Sequence, residues 1–120
     1  MKKLSMLIAL ILISSVAHAE LIQGQGKKEV TTAGTAEALS ATATSFSSLS
    51  VCAESNNTGV IAVGGAGVIA SLSTRTGIYL DAGDCYSIDL SSGKLGNLNT
   101  IYLDTTVSTD GVNYHYYQEV

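Results

Sequence analysis

The two cysteines, Cys52 and Cys85, are separated by 33 positions. This separation differs from the short Cys-x-x-Cys spacing of redox and zinc motifs. In an oxidising compartment the pair favours one disulfide, which would stabilise the fold by about 3–4 kcal/mol by closing a loop of this length. Two buried free thiols are the alternative, and the sequence leaves both open.

Nucleophilic catalysis by serine needs a histidine base and an orienting acid within hydrogen-bonding reach. Beyond the first 19 residues the chain has one histidine, His115, and it has no Gly-x-Ser-x-Gly motif. His115 lies in a run that predicts a strand, with Tyr117 two positions further on the same face. We therefore expect no enzymatic activity, and we predict that His115 and Tyr117 contact a partner.

Several aspartates could in principle act as paired carboxylates or bind a hard cation. Asp81 and Asp84 bracket a turn, where aspartate is favoured because it hydrogen-bonds nearby backbone groups. Their spacing does not match an EF-hand loop, so Asp81 and Asp84 are a calcium candidate only if loop carbonyls complete the site. We expect no other metal and no cofactor.

The first 19 residues have the pattern of a secretory signal peptide. Lys2 and Lys3 precede an apolar run at 4–13, and residues 17–19 read Ala-His-Ala, a small-x-small cleavage site. The apolar run is shorter than the about 20 residues that a membrane-spanning helix needs. We predict cleavage after Ala19 and a mature protein without a membrane span, against the alternatives of an uncleaved anchor or a buried helix.

Charge narrows the class of partner. Removing residues 1–19 takes away Lys2 and Lys3 and no acid, so the remaining 101 residues carry 4 basic and 10 acidic side chains, a net charge of −6. An acidic surface repels phosphate backbones, and we therefore expect no nucleic-acid partner.

Short β-rich runs separated by turn residues predict an all-β fold. We expect eight or nine strands in an antiparallel β-sandwich of jelly-roll or immunoglobulin-like type, with a lead-in and first strand at 20–33 and the sandwich domain at 34–120. Residues 20–28 are expected to be extended or mobile. The predicted strands are 29–33, 36–41, 46–54, 60–63, 68–71, 76–80, 85–90, 98–107 and 112–118. The turns at 55–59 and 108–111 are expected to close hairpins.

The period of two assigns side chains to opposite faces of these strands. In the run 46–54, Leu49, Val51 and Ala53 share one face. In the last run, Tyr114 and Tyr116 are expected to line the core. The opposite face of that last run carries Asn113, His115 and Tyr117.

Six motifs follow one another in a fixed order between residues 34 and 117. They are GTAEALS at 34–40, LSVCAE at 49–54, NTGVIAVG at 57–64, GIYLDAGD at 77–84, NLNTIYLD at 97–104 and DGVNYHY at 110–116. In this order they resemble small virion proteins of tailed bacteriophages. The resemblance implies a β-sandwich that decorates a capsid, fibre or tail and self-associates, without catalytic residues. The signal peptide departs from that group, as does Ala82, where the corner often has proline.

We therefore expect an exported, non-catalytic structural or interaction module that forms homo-oligomers or a larger surface assembly. Its location would be periplasmic, extracellular or on a virion surface. One alternative is a pilin or adhesin subunit, which would need an alternating apolar N-terminal segment that residues 21–26 do not supply. Another is a carbohydrate-binding module with a glycan partner, because tyrosines can stack on sugar rings.

Overall fold

The computed structural model describes residues 21–91 and 93–119, and these form an all-β fold of ten strands and one short 3₁₀ turn, Leu98–Thr100. The predicted signal peptide lies outside the described residues. The strands are β1 (Leu21–Glu29), β2 (Glu37–Ala38), β3 (Ser45–Phe46), β4 (Ser48–Ala53), β5 (Ile61–Gly64), β6 (Ile78–Leu80), β7 (Cys85–Asp89), β8 (Gly96–Asn97), β9 (Tyr102–Thr105) and β10 (Gly111–Glu119). No helix in the described part of the chain has the length and apolarity to cross a membrane.

The strands form two four-stranded antiparallel sheets and one small pair. Sheet A has the order β1-β10-β4-β7, sheet B has the order β2-β9-β5-β6, and β3 pairs with β8. The pairing is nested: β1 pairs with β10, β2 with β9, β3 with β8, β4 with β7 and β5 with β6. The predicted all-β class is confirmed, and the arrangement is compatible with a β-sandwich.

Two turns expected to close hairpins instead connect the two sheets. Residues 55–59 lie between β4 of sheet A and β5 of sheet B, and residues 108–110 lie between β9 of sheet B and β10 of sheet A, which begins at Gly111. The hairpin prediction was therefore wrong at both places. The turn residues were recognised correctly, but a turn reverses the chain equally well whether the next strand pairs with the last one or packs on another sheet.

Apolar side chains from both sheets meet in one core. Leu49 and Val51 of β4 contribute from sheet A, and Ile61 and Leu103 contribute from sheet B, all at most 1% exposed. Burial in β4 alternates strictly, as the period of two predicts. Tyr114 and Tyr116 pack against the edge of this core, on the face predicted for them.

Side-chain hydrogen bonds shorten several predicted strands. Residues 30–36 form turns because the Glu37 carboxylate accepts the N–H groups of Thr31 (2.6 Å) and Thr32 (3.4 Å), which a neighbouring strand would otherwise bind. In the predicted strand 98–107, the first residues form the 3₁₀ turn, where the side-chain oxygen of Asn97 accepts the N–H of Asn99 at 3.2 Å. Residues 68–71, another predicted strand, lie in a loop.

The segment predicted as a lead-in contains the long strand β1. It pairs with β10 over nine residues, which places Gly24 opposite Tyr116 and Gly26 opposite Tyr114. A Cβ atom at either glycine would overlap with the facing tyrosine ring. The two tyrosines therefore cover a strand that lacks side chains of its own at these positions, and the glycines make this close approach feasible.

Candidate functional site

Cys52 and Cys85 form a disulfide between β4 and β7. The two residues are directly opposite in the antiparallel pair, with their Cα atoms 4.0 Å apart. The predicted disulfide is confirmed, and the alternative of two free thiols is excluded. A disulfide persists in a non-reducing environment, in agreement with a location outside the cytoplasm.

An open groove crosses the outer face of sheet A, the face turned away from the core. It has a volume of about 570 Å³ and spans β1, β10 and β4. This outer groove is lined mainly by Gln25, Lys27, Ser50, Cys52, Asn113 and His115. Its volume lies within the range of small-ligand sites.

The structure brings together three residues that the sequence singled out. His115 and Cys52 both line the outer groove. The ring of Tyr117 meets the ring of His115 edge-on, with centroids 4.6 Å apart and an interplanar angle of 83°. Within residues 21–91 and 93–119 the His115 side chain has no hydrogen bond to a carboxylate or a hydroxyl that would orient it as a base.

The positive charge in the outer groove is balanced by the protein itself. The ammonium group of Lys27 lies 3.1 Å from a carboxylate oxygen of Glu54 and 3.4 Å from one of Glu29. The hydrogen bond with Glu54, followed by the bond with Glu29, raises the pKa of Lys27 above its ordinary value. The remaining lining side chains are neutral amides, a hydroxyl, a disulfide sulfur and an imidazole, so the groove carries little net charge.

The aspartates considered as a cation site stabilise turns. A carboxylate oxygen of Asp84 accepts the N–H of Asp81, three residues earlier, at 3.1 Å and so closes this turn. The part of the chain that the structure describes contains no group of three or more histidines, cysteines, aspartates and glutamates placed to hold a metal ion. Asp81 and Asp84 therefore stay an untested calcium candidate that would need backbone oxygens as further ligands.

Asp110 also holds a connection between the sheets. It is 7% exposed and accepts the N–H of Thr58 at 3.1 Å and of Gly59 at 2.7 Å. The same Asp-Gly pair that predicted a hairpin thus joins the turn 55–59 to the start of β10. The carboxylate satisfies two backbone donors in a partly buried place, where an unpaired donor would be costly.

The outer face of sheet B is closed by loops. Asp104 of β9 is 1% exposed and accepts the N–H of Gly34 at 2.9 Å and of Ala70 at 2.8 Å, which fixes two loops over this face. Ala62, Val68 and Ala70 form a second small apolar cluster beneath them. The outer face of sheet B is therefore covered over β5 and β9, whereas Tyr79 of β6 is 54% exposed there and the outer face of sheet A is open.

Sequence reasoning missed part of the outer groove. Gln25 and Lys27 lie in the predicted lead-in, and Ser50 lies in the run 46–54 on the face opposite Leu49 and Val51. The usable signal was the alternation of Gln23, Gln25 and Lys27 with Gly24 and Gly26 in the sequence. In the structure the three long side chains are exposed and the two glycines are less so. Glycine weakens a strand, so these positions do not predict one. The tyrosines that face them in the sheet are far away in the sequence and give no local sign of the pairing.

Comparisons with protein-family models, with curated proteins and with solved structures gave no match to this chain.

Proposed function

We propose that the protein is an exported, non-catalytic structural module of virion-decoration type that self-associates through the free edge of β1. The observation that carries the proposal is the length of that edge. β1 is nine residues long and pairs only with β10 among the described strands. A long strand with one unpaired edge is a ready template for another strand.

The other sheet edges are much less suited to pairing. At the edges of sheet B, β2 has two residues and β6 has three, and the far edge of sheet A is the five-residue β7. Very short edge strands are one means by which proteins prevent association. Among the edges described, β1 alone has both the length and the uncharged stretch, at 21–26, that favour pairing.

The strand order supports a jelly roll. In that fold a long antiparallel ribbon is rolled up so that its two arms pair along their whole length and distribute over two four-stranded sheets. The nested pairing of β1 with β10 through β5 with β6 agrees with this description, and an immunoglobulin-like order does not have this nesting. Jelly rolls are frequent in capsid and lectin domains, which is in keeping with the resemblance to virion proteins.

Two further observations support export without catalysis. The Cys52–Cys85 disulfide suits an oxidising compartment reached through the predicted signal peptide. In the outer groove His115 has an aromatic partner, Tyr117, where a general base would have an orienting acid.

Sedimentation velocity of the protein lacking residues 1–19, from micromolar to millimolar concentration, tests the proposal. We expect reversible association. Gln25→Pro removes one backbone donor from the free edge and should give a monomer with the thermal stability of the wild type measured at concentrations too low for association, while Gln25→Ala, which keeps the donor, should still associate. A wild-type protein that stays monomeric at millimolar concentration would contradict the proposal.

Binding of a neutral glycan is a second candidate function, favoured by the chemistry of the outer groove. Its amide and hydroxyl side chains face solvent, its one lysine is paired with acids, and an imidazole lies at its wall. Neutral sugars offer hydroxyl groups to such amides and a flat face to an aromatic ring. Titration with chito-, cello- and malto-oligosaccharides, followed by ¹H–¹⁵N NMR, should shift the groove amides. Asn113→Ala should abolish those shifts and Ser87→Ala, outside the groove, should not; no shift with any of the sugars would exclude this candidate.

A further inference from the structure

We infer that the partner at the free edge is β1 of a second copy, paired antiparallel about a two-fold axis at Gln25, so that two copies of sheet A join into one eight-stranded sheet. The inference rests on the proposed function and specifies its partner and register. Four observations lead to it: the direction of the free backbone groups, the register, the paired charges and the two glycines.

The directions of the backbone groups follow from the hydrogen bonds at the end of the strand. The N–H of Val30 donates to the carbonyl oxygen of Asp110 at 3.0 Å, so this even-numbered position bonds towards β10. In an antiparallel ladder bonded and non-bonded pairs alternate. Even positions of β1 are therefore bonded to β10, and the N–H and C=O groups of Gln23, Gln25 and Lys27 point away from the sheet.

One register uses the whole strand. If Gln25 faces Gln25 of the second copy, Gln23 faces Lys27 and all nine residues of β1 are paired. These odd positions are the ones with free backbone groups, so the pairing extends the ladder directly. Moving the axis to Gly24 or Gly26 leaves seven paired residues. Moving it to Lys27 places like charges opposite each other, which is unfavourable.

The charged side chains that would normally prevent pairing at such an edge form ion pairs within the protein. Lysines on an edge strand discourage pairing because a second copy would bring the same charge close. Here Lys27 is paired with Glu54 and Glu29, and Lys28 lies 2.9 Å from Glu37. In the Gln25 register no residue faces a like charge, since Lys27 meets Gln23 and Glu29 meets Leu21.

The inner side of the strand is equally permissive. In the same register Gly24 faces Gly26 of the second copy, so neither position brings a side chain of its own to the pair, and the rings of Tyr116 and Tyr114 cover both glycines. A two-fold pairing of this kind uses both free edges at once, which gives a closed dimer rather than a growing fibre. An unrelated peptide paired with β1 would leave the outer edge of the peptide unpaired. Pairing with β1 of a second copy leaves neither β1 edge exposed.

Cysteine cross-linking tests the register. We expect Gln25→Cys to form a covalent dimer under mild oxidation, because the two substituted residues face each other at a Cα separation compatible with a disulfide. Gln23→Cys is the matched control: its two copies would lie four positions apart along the strands, roughly 14 Å, and should not cross-link. Peptide mass spectrometry should show the new link together with an intact Cys52–Cys85 bond.

The outcomes separate this inference from the proposed function. An associating protein in which Gln25→Cys fails to cross-link, or Gln23→Cys cross-links as well, would overturn the register and leave self-association standing. A monomeric wild-type protein would overturn both. Independently, Gln25→Asp should raise the dimer dissociation constant about fivefold through like-charge opposition, while Gln25→Asn should leave it nearly unchanged; equal constants for the two variants would also overturn the register.

Discussion

The outer faces of the two sheets differ although the sheets have the same number of strands. On sheet B, the buried carboxylate of Asp104 holds two loops over the strands, and Ala62 beneath them is fully buried. On sheet A, the corresponding face is open and carries exposed amides and hydroxyls beside a disulfide. The loops over sheet B add buried contacts to the fold, and the side chains on the open face of sheet A face solvent.

The sequence reflects this difference in its periodicity. The open face of sheet A requires alternation, and β4 alternates in burial at every position. In β5 the first three residues are all buried, because one side faces the core and the other faces the loops. A strand covered on both sides has no reason to alternate.

The largest effect on stability is expected from removing the disulfide on the open face of sheet A. Replacing both Cys52 and Cys85 by alanine should lower the free energy of unfolding by about 3–4 kcal/mol, because the unfolded chain regains the freedom that the closed loop removed. Urea denaturation of the oxidised wild-type protein and of the double variant measures this. Equal midpoints would show that sheet A does not depend on the link.

A comparable loss is expected when the closed face is opened. Asp104→Ala leaves the N–H groups of Gly34 and Ala70 without their acceptor and should cost about 3 kcal/mol. Hydrogen exchange should show faster exchange of these two amides. Asp89→Ala, at an exposed position of β7, is the control and should change stability by less than about 0.5 kcal/mol.

A smaller effect compares the two faces directly. Ala62→Leu should cost about 2 kcal/mol because the closed face has no space for a larger side chain. Ser87→Leu, on the exposed outer face of β7, should cost less than about 0.5 kcal/mol. Thermal unfolding of both variants measures the two losses of stability. Similar losses would mean that the loops over sheet B move aside for a larger side chain.

The smallest effect concerns the ion pair between the edges of the two sheets. Burial raises the pKa of Glu37, but the hydrogen bonds from Lys28, Thr31 and Thr32 outweigh it, and the pKa lies below its ordinary value of 4.5. A lowered pKa in the folded state stabilises the protein above pH 4.5, and this contribution is lost as the pH falls through the folded-state pKa.

Glu37→Gln should accordingly lower stability by at most about 1 kcal/mol at neutral pH, since the carboxylate is partly exposed, and the difference from the wild type should disappear in acid. Denaturation curves at several pH values measure it. A difference that persists unchanged in acid would assign the effect to packing instead of charge.

Much of the fold could be predicted because its signals are local. The alternation in 46–54 identified β4 and its two faces, and the Tyr114 and Tyr116 face was assigned in the same way. The cysteine pair suggested the disulfide from its count and compartment. Each of these inferences depends on neighbours in the sequence or on composition.

The groove and the free edge could not be predicted in this way. Gly24 and Gly26 look unsuited to a strand until the rings of Tyr116 and Tyr114, some ninety positions later, are placed over them. The Asp104 carboxylate gave no local sign that it would hold loops from residues 34 and 70.

By itself the sequence determined the all-β class, the faces of its clearly alternating strands and the positions of its turns, because side-chain period and turn chemistry act over a few residues. Only the tertiary structure decided which strands pair, that the turns at 55–59 and 108–111 connect the sheets, and that β1 has one edge unpaired among the described strands. Those features depend on contacts between segments that are distant in the sequence. The free energy of burying apolar surface and of pairing backbone groups in such contacts depends on the whole folded chain.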